Sequence, residues 1–380
     1  MEKFYQQFKL GVLGGGQLGR MLIQSAIDFN IDVHIIDPSP NAPCKNIATS
    51  FTVGDLQDFD AVYNFGKECD VITIEIEKVN TEALKKLRDE GVKVYPEPEA
   101  IEMIQDKRIQ KTFYKENNIP TAPFVLVENK EEIHNHKDFL PAVNKLGKDG
   151  YDGRGVQVIR TKADIDKGFD KPGLLEQFVN FEKELAVIVA KNTKGEIKAF
   201  PPVELVFHPE ANLVEYLFSP ADISAEITNK ANDLAIKVIE KINMTGILAI
   251  EMFLTKEGDV LVNEIAPRPH NSGHQTIEGN TVSQYEQHLR AILGMPLGNT
   301  DIRIPSAMVN LLGEEGHSGE VEIEGLDDAL ATDGVHFHLY GKKETTPFRK
   351  MGHISITDKS MENLKKKALK IKSTVKIISK

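Results

Sequence analysis

Cysteine is scarce: Cys44 and Cys69 are the only two in 380 residues, and they lack metal-ligand spacing. That scarcity argues against a disulfide framework, fits a reducing cytoplasm, and leaves both thiols expected as small buried side chains. No window reaches the roughly 18 uninterrupted apolar residues of a membrane helix, so no membrane association is expected. An excess of positive charge is also missing. The 57 acidic and 46 basic residues give a formal net charge of −11, which argues against a phosphate-backbone-binding surface, so no nucleic-acid partner is expected. Any anionic ligand must be held by local Lys and Arg. Met1 to Lys9 runs into an apolar strand without the basic flank and small-residue cleavage site of a secretion signal, so a cytoplasmic location is expected. Internal repeats and low-complexity linkers are lacking too.

What is present suffices for two or three domains. In the first hundred residues, apolar strands at Phe8 to Leu13, Ile31 to Asp37, Asp70 to Glu75 and Val92 to Tyr95 alternate with helical stretches, Arg20 to Asn30 the clearest. This α/β alternation predicts a doubly wound parallel sheet. From about Pro141 the pattern becomes hairpins, with turns at Gly147 to Gly155 and Asn192 to Gly195. Between Asp222 and Asn243, Ile223, Ile227, Ala231, Leu234, Ala235, Val238 and Ile242 recur at three and four, one face of a long helix that should back a sheet. After about Gly298 strands return, including Val335 to Tyr340 and His353 to Thr357, before a Lys-rich helix from Ser360. His336 and His338 share a strand face, but no third ligand has zinc spacing, so packing is expected there.

Gly14, Gly16 and Gly19 have G-x-G-x-x-G spacing between a strand and a helix, and Asp37 closes the next strand where a ribose-binding acid would sit. Alone, this suggests a dinucleotide-dependent oxidoreductase. Backbone N–H groups at a helix N-terminus attract any phosphate, however, including a ribonucleotide's, and Gln17 and Leu18 would offer such donors.

Two apolar strands, Ile247 to Leu254 and Val260 to Ile265, flank the turn Lys256-Glu257-Gly258-Asp259. Symmetry about Glu257 and Gly258 sets Glu251 opposite Glu264. Facing carboxylates destabilise a sheet unless a proton or cation lies between them, and a hard divalent cation on nucleotide phosphates is the expected occupant. Alternatively, a bulge shifts the register and turns one Glu to solvent. Asn263 either alternates to the other face or is brought to the ligand by twist. The irregular stretch Ala266 to His274 follows: Arg268 can hold an oxyanion bidentately, while His270 and Asn271 can donate to one. His274 is expected to be structural.

These segments together resemble the ATP-grasp superfamily and, within it, the 5-(carboxyamino)imidazole ribonucleotide synthetase family. The resemblance is carried by Gly14 to Met21 (G-G-G-Q-L-G-R-M), Gly150 to Gly155 (G-Y-D-G-R-G), Asn263 to His274 (N-E-I-A-P-R-P-H-N-S-G-H) and Arg349 to His353 (R-K-M-G-H). It implies a pre-ATP-grasp Rossmann-like domain over 1–104, an ATP-grasp domain over 105–298 with a lid at about 123–190, and a small β-rich C-terminal domain over 299–380. Overall this is an α/β and α+β chain. The implied activity is ATP-dependent carboxylation of 5-aminoimidazole ribonucleotide with bicarbonate in purine biosynthesis, with Mg2+, or Mn2+ in its place, on Glu251 and Glu264, in a homodimer.

The same resemblance implies that Lys107 and Lys145 contact ATP phosphates, under a lid turn formed by Gly150, Tyr151, Asp152, Gly153, Arg154, Gly155 and Val156. Glu176, Gln177, Phe178 and Val179 would form the adenine edge, Glu184 would accept the ribose hydroxyls, and His208, Asn263 and Glu264 would complete the nucleotide site. Tyr151, Asp152, Arg154 and Lys350 would surround the reacting amine, with Asp152 as proton acceptor, and Arg268, His270 and Asn271 would serve carboxyphosphate formation. Gly16, Gln17, Leu18, Lys342 and Arg349 would hold the ribose phosphate, and Glu75 stands where the family keeps an acid. Lys78, Val156 and Phe348 replace residues common there, namely Asn, Gln and Gly; Phe348 restricts the backbone before Arg349. Another ATP-grasp ligase, using formate or an amino acid, and a non-catalytic nucleotide-binding protein are the alternatives.

Overall fold

The computed structural model describes residues 8–148, 150, 155–208 and 213–380. The N-terminal segment forms the expected parallel sheet, in the order Ser50–Val53, Asp32–Asp37, Lys9–Leu13, Val71–Ile74, Lys93–Val94. Ser50–Val53 is a strand that periodicity did not mark, because most of this edge strand is exposed. The first helix, Gln17–Asp28, begins at the glycine loop itself, three residues earlier than expected. Leu18, Met21, Leu22, Ile23 and Ala26 form its buried face against Leu10, Val12, Val33 and Ile35 of the sheet. Cys44 and Cys69 are both buried, which pushes their thiols well above the ordinary range and leaves them unreactive.

A four-stranded antiparallel sheet follows, ordered Phe124–Val127, Gly173–Gln177, Ala142–Leu146, Val156–Ile159. The next strand, Phe181–Lys191, already belongs to the main sheet. That main sheet runs Val260–Ala266, Gly246–Thr255, Phe181–Lys191, Val203–Phe207, Val214–Ser219, Ser306–Leu312, Lys350–Thr357, Val335–Leu339. The C-terminal strands thus extend the sheet that carries the acidic hairpin, through the pairing of Val214–Ser219 with Ser306–Leu312, and no sheet edge separates the two units. The helix Ala225–Ile242, capped by Ser224, buries Ala231, Leu234, Ala235, Val238 and Ile239 against Leu185, Val187, Leu248 and Ile250 of this sheet. Burying these side chains stabilises the layer by about 1.5–3 kcal/mol for each large aliphatic group. No described helix is long and apolar enough to cross a membrane.

Candidate active site

Gly258, at φ +84°, closes the acidic hairpin. Next to the turn the pairs are Leu254 with Val260, Phe253 with Leu261 and Met252 with Val262; the register then shifts, and Glu251 pairs with Glu264. Without that shift Glu251 would face Asn263. The facing pair therefore exists because of a bulge at Asn263, and the symmetric turn from which it was expected is absent. The bulge also accounts for Asn263, since the extra residue re-aims its neighbours. Lys145 Nζ donates to Asn263 Oδ1 at 3.0 Å, while Lys107 Nζ pairs with the adjacent Glu264.

Electrostatics at the pair favour a cation. Burial, followed by the charges of Glu264 and Glu184, pushes the Glu251 carboxyl up to about 8, against the opposing effects of Lys350 and Lys107. Burial likewise raises Glu184 to about 7. It works against the charge on Glu264 as well, but Lys107 and Lys145 hold that carboxyl below its ordinary value. Glu184 and Glu251 lie on one face, because Glu184 pairs with Phe253 and Ala186 with Glu251 on neighbouring strands. Two carboxylates facing each other, one of them pushed up by burial and by its acidic neighbours, fit a hard divalent ion held by Glu251 and Glu264. Among the described residues no group of three or more His, Cys, Asp or Glu is gathered into a metal cage. This fits an ion that completes its shell with phosphate and water.

A buried lysine network links the small sheet to the main one. Glu176 is only 3% exposed; its Oε1 accepts from Lys111 Nζ and its Oε2 pairs with Lys145 Nζ, both at 2.6 Å. Burial disfavours the charge on Glu176, yet Lys145 and Lys111 keep its carboxyl below the ordinary value. Burial drives Lys111 down to about 8. Both carboxylate oxygens of Glu176 are thus engaged by lysines. Gln177 and Phe178 are exposed and Val179 half-buried, just where the chain leaves the small sheet for the main one. Lys111 was missed by sequence reasoning, although it lies one helical turn after Lys107. In the lid turn, Gly155 has φ +76° and its carbonyl accepts from Leu146 N–H, while Val156 pairs with Lys145. Gly150 lies beside Gly155, so a side chain at 155 would crowd it. Tyr151, Asp152, Gly153 and Arg154 lie outside the described residues. The His208 ring packs edge-on against Phe348, with centroids 5.5 Å apart.

The loop after Glu264 supplies the expected cation. Arg268 Nη2 pairs with Glu77 Oε1 at 2.8 Å, a partner that the sequence did not point to. His270 Nδ1 lies 2.9 Å from Ser272 Oγ and 3.3 Å from the Ser272 N–H, and its Nε2 is 3.8 Å from Glu251 Oε1. Asn271 departs from its expected role: its amide forms a reciprocal pair with Asn310, 2.9 Å each way, so it ties the loop to the sheet. Lys350 begins its strand beside a bulge between Leu311 and Leu312, within electrostatic reach of Glu251. Lys342 Nζ donates to the Lys350 carbonyl at 2.6 Å. Exposed Arg349 donates to the Glu344 carbonyl, and Phe348 before it takes φ +62°, a left-handed backbone costing roughly 1–2 kcal/mol for a side chain of this size.

At the glycine loop the structure revises the expectation. Glu75 accepts from Gly16 N–H and Gly19 N–H at 2.6 Å each, and Asp37 accepts from Gly15 N–H at 2.8 Å and from Ser39 N–H at 2.7 Å. A Cβ on Gly14 or Gly16 would meet the Glu75 side chain at 2.4 Å. The glycines thus admit an internal carboxylate. The Gly16 N–H is taken by Glu75 and each Asp37 oxygen already accepts a backbone N–H, which argues against the dinucleotide reading. Gln17 and Leu18, at the first helical positions, keep N–H groups without intrahelical partners.

Family models match this arrangement in three consecutive stretches: a ribonucleotide synthetase preATP-grasp domain at residues 7–105, an ATP-grasp domain at 112–285 and a phosphoribosylaminoimidazole carboxylase C-terminal domain at 306–367. The N5-carboxyaminoimidazole ribonucleotide synthase of Bacillus subtilis (strain 168) is 38% identical over 91% of this chain and 90% of its own length. The chain belongs to the N5-carboxyaminoimidazole ribonucleotide synthase family. As a member it is an ATP-dependent ligase of the ATP-grasp type. The synthase structure from Thermotoga maritima has a TM-score of 0.92 at 43% identity, covering 98% of this chain and 100% of that one. A synthase from Aspergillus clavatus in complex with ADP and 5-aminoimidazole ribonucleotide has a TM-score of 0.89 at 35% identity, covering 97% and 99%. Some relatives are longer: the match covers 93% of this chain but 65% of the chloroplastic phosphoribosylaminoimidazole carboxylase of Vigna aconitifolia, which is 37% identical.

Proposed function

We propose that this protein carboxylates 5-aminoimidazole ribonucleotide with bicarbonate at the expense of ATP, giving 5-(carboxyamino)imidazole ribonucleotide, ADP and phosphate in purine biosynthesis. The observation that carries this reading is the convergence of His270 and Lys350 on the Glu251–Glu264 pair, beside Lys107. Lys107 and Lys145 neutralise the ATP phosphates, and the hinge from Glu176 to Val179 takes the adenine by its backbone. Glu184 accepts the nucleotide ribose hydroxyls, with His208, Asn263 and the lid turn completing the nucleotide site. Mg2+, with Mn2+ as an alternative, on Glu251 and Glu264 would neutralise charge on the transferring phosphoryl group.

A bicarbonate oxygen attacks the terminal phosphorus of ATP and ADP departs, leaving carboxyphosphate held by Arg268 and His270. The exocyclic amine then forms the new C–N bond, either with carboxyphosphate or with carbon dioxide released in the closed site, and phosphate leaves. The proton lost from nitrogen passes to Asp152, with Lys350 stabilising the acid's charge. Tyr151 and Arg154 line the same amine. Gln17 and Leu18 N–H, Lys342 and Arg349 take the ribose phosphate. We further propose the domain division 1–104, 105–298 and 299–380, a homodimer and a cytoplasmic location.

The test measures ADP release with aminoimidazole ribonucleotide and bicarbonate supplied separately and together. Release that requires both is expected; release with an unrelated carboxylate alone would favour another ATP-grasp ligase, and ATP binding without any release a non-catalytic role.

A further inference from the structure

Lys350 and the Arg268–His270 loop reach the reaction from different segments, so their spacing must be set elsewhere. Behind them lies a row of three histidine rings. His274, at the end of the loop, stacks on His353 with centroids 4.5 Å apart, and His353 stacks on His338 at 4.4 Å and 9°. His353 follows Lys350 by three residues on one strand and faces His338 on the next. His338 Nε2 bonds Glu278 Oε1 at 2.8 Å, and Glu278 lies one helical turn after His274, so the row returns to the segment from which it started.

The ring orientations are fixed as well. Tyr340 Oη bonds His353 Nδ1, and Tyr285 Oη bonds His274 Nδ1, each at 3.0 Å. Gln284, fully buried, accepts from His270 N–H at 2.8 Å and donates to the His270 carbonyl at 2.7 Å, and its amide also reaches His274 Nδ1 at 3.1 Å. The backbone of His270 and the ring row thus share one clamp. Tyr285 Oη further touches Met21 Sδ of the first helix at 3.4 Å, which joins the N-terminal sheet to the same cluster.

We infer that the His274–His353–His338 row, closed by Glu278 and clamped by Gln284, is a brace of positioning residues that sets the distance between Lys350 and the Arg268–His270 loop. Carboxyphosphate generated on one side of that gap then meets the amine on the other before it is lost to water. This rests on the proposed carboxylation. Buried, oriented rings transmit displacement because a close-packed interior does not deform smoothly, and a shift of about 1 Å between reacting groups lowers a rate roughly 100-fold.

The experiment compares His353→Ala and His353→Phe with the parent, reading KM for ATP, KM for aminoimidazole ribonucleotide, and ADP formed per product. His353→Ala is expected to lower product formation about 10- to 100-fold and to raise ADP per product several-fold, with the KM for ATP changed less than about twofold. His353→Phe keeps the stack and should restore the rate to within about threefold. Equal behaviour of His353→Ala and parent, no rescue by Phe, or a KM for ATP rising in step with the other would overturn the brace. If His353→Ala does not fold, Glu278→Gln at the half-buried end should show the same split at smaller size; a lowered thermal midpoint with unchanged coupling there would refute it. Failure of the parent to release ADP with both substrates refutes the carboxylation reading instead.

Discussion

Replacing Glu251 by Gln tests the metal pair without nucleotide chemistry. In the metal-free protein, burial and the neighbouring Glu264 and Glu184 raise the Glu251 carboxyl from 4.5 to about 8. A folded value above the unfolded one means that the native state binds the extra proton. Stability is therefore fully present below about pH 4.5 and is lost as pH rises through about 8. One pH unit within that window is worth about 1.4 kcal/mol, so the parent should lose ~3 kcal/mol more than Glu251→Gln between about pH 5.5 and pH 8.5. Urea unfolding of both proteins in a chelator, across that range, reads the difference. With Mg2+ and ADP the native carboxylate stays ionised, and the excess slope of the parent should disappear. Parallel pH profiles in chelator, or a slope untouched by metal and nucleotide, would refute the reasoning.

Glu264→Gln removes the partner of Lys107 and half the metal pair, and should cut ADP formation at least about 100-fold with both substrates present, a steady-state assay. Lys111→Met leaves Glu176 to cancel Lys145 alone, so KM for ATP should rise about tenfold while KM for aminoimidazole ribonucleotide holds. Glu75→Gln offers an N–H where two backbone donors converge; equilibrium unfolding should show a loss of about 1–3 kcal/mol, and no loss would mean that the glycine loop does not depend on this carboxylate.

Much of the fold was legible because periodicity reports burial. The parallel N-terminal sheet and the helix Ala225–Ile242 both follow from runs of apolar side chains, which must find a layer to cover them. The exposed edge strand Ser50–Val53 has no such signature and was missed. Within the site, Glu251, Glu264, Arg268 and His270 were legible because charges in apolar strands, or packed beside them, need partners. Their partners were less visible. Lys111, Glu77 and Gln284 meet Glu176, Arg268 and His270 only through contacts between segments distant in sequence, which no spacing rule encodes.

The sequence by itself determined which residue types are available: a glycine loop between strand and helix, two carboxylates across a hairpin, and cations near the end of an acidic chain. Only the tertiary structure decided what each one faces. A single bulge at Asn263 aligns Glu251 with Glu264, since one inserted residue shifts every pair beyond it. Glu75, arriving from a neighbouring parallel strand, fills the loop whose spacing suggested phosphate, because the same N–H groups donate to any anion, carboxylate or phosphate, that the fold brings within reach.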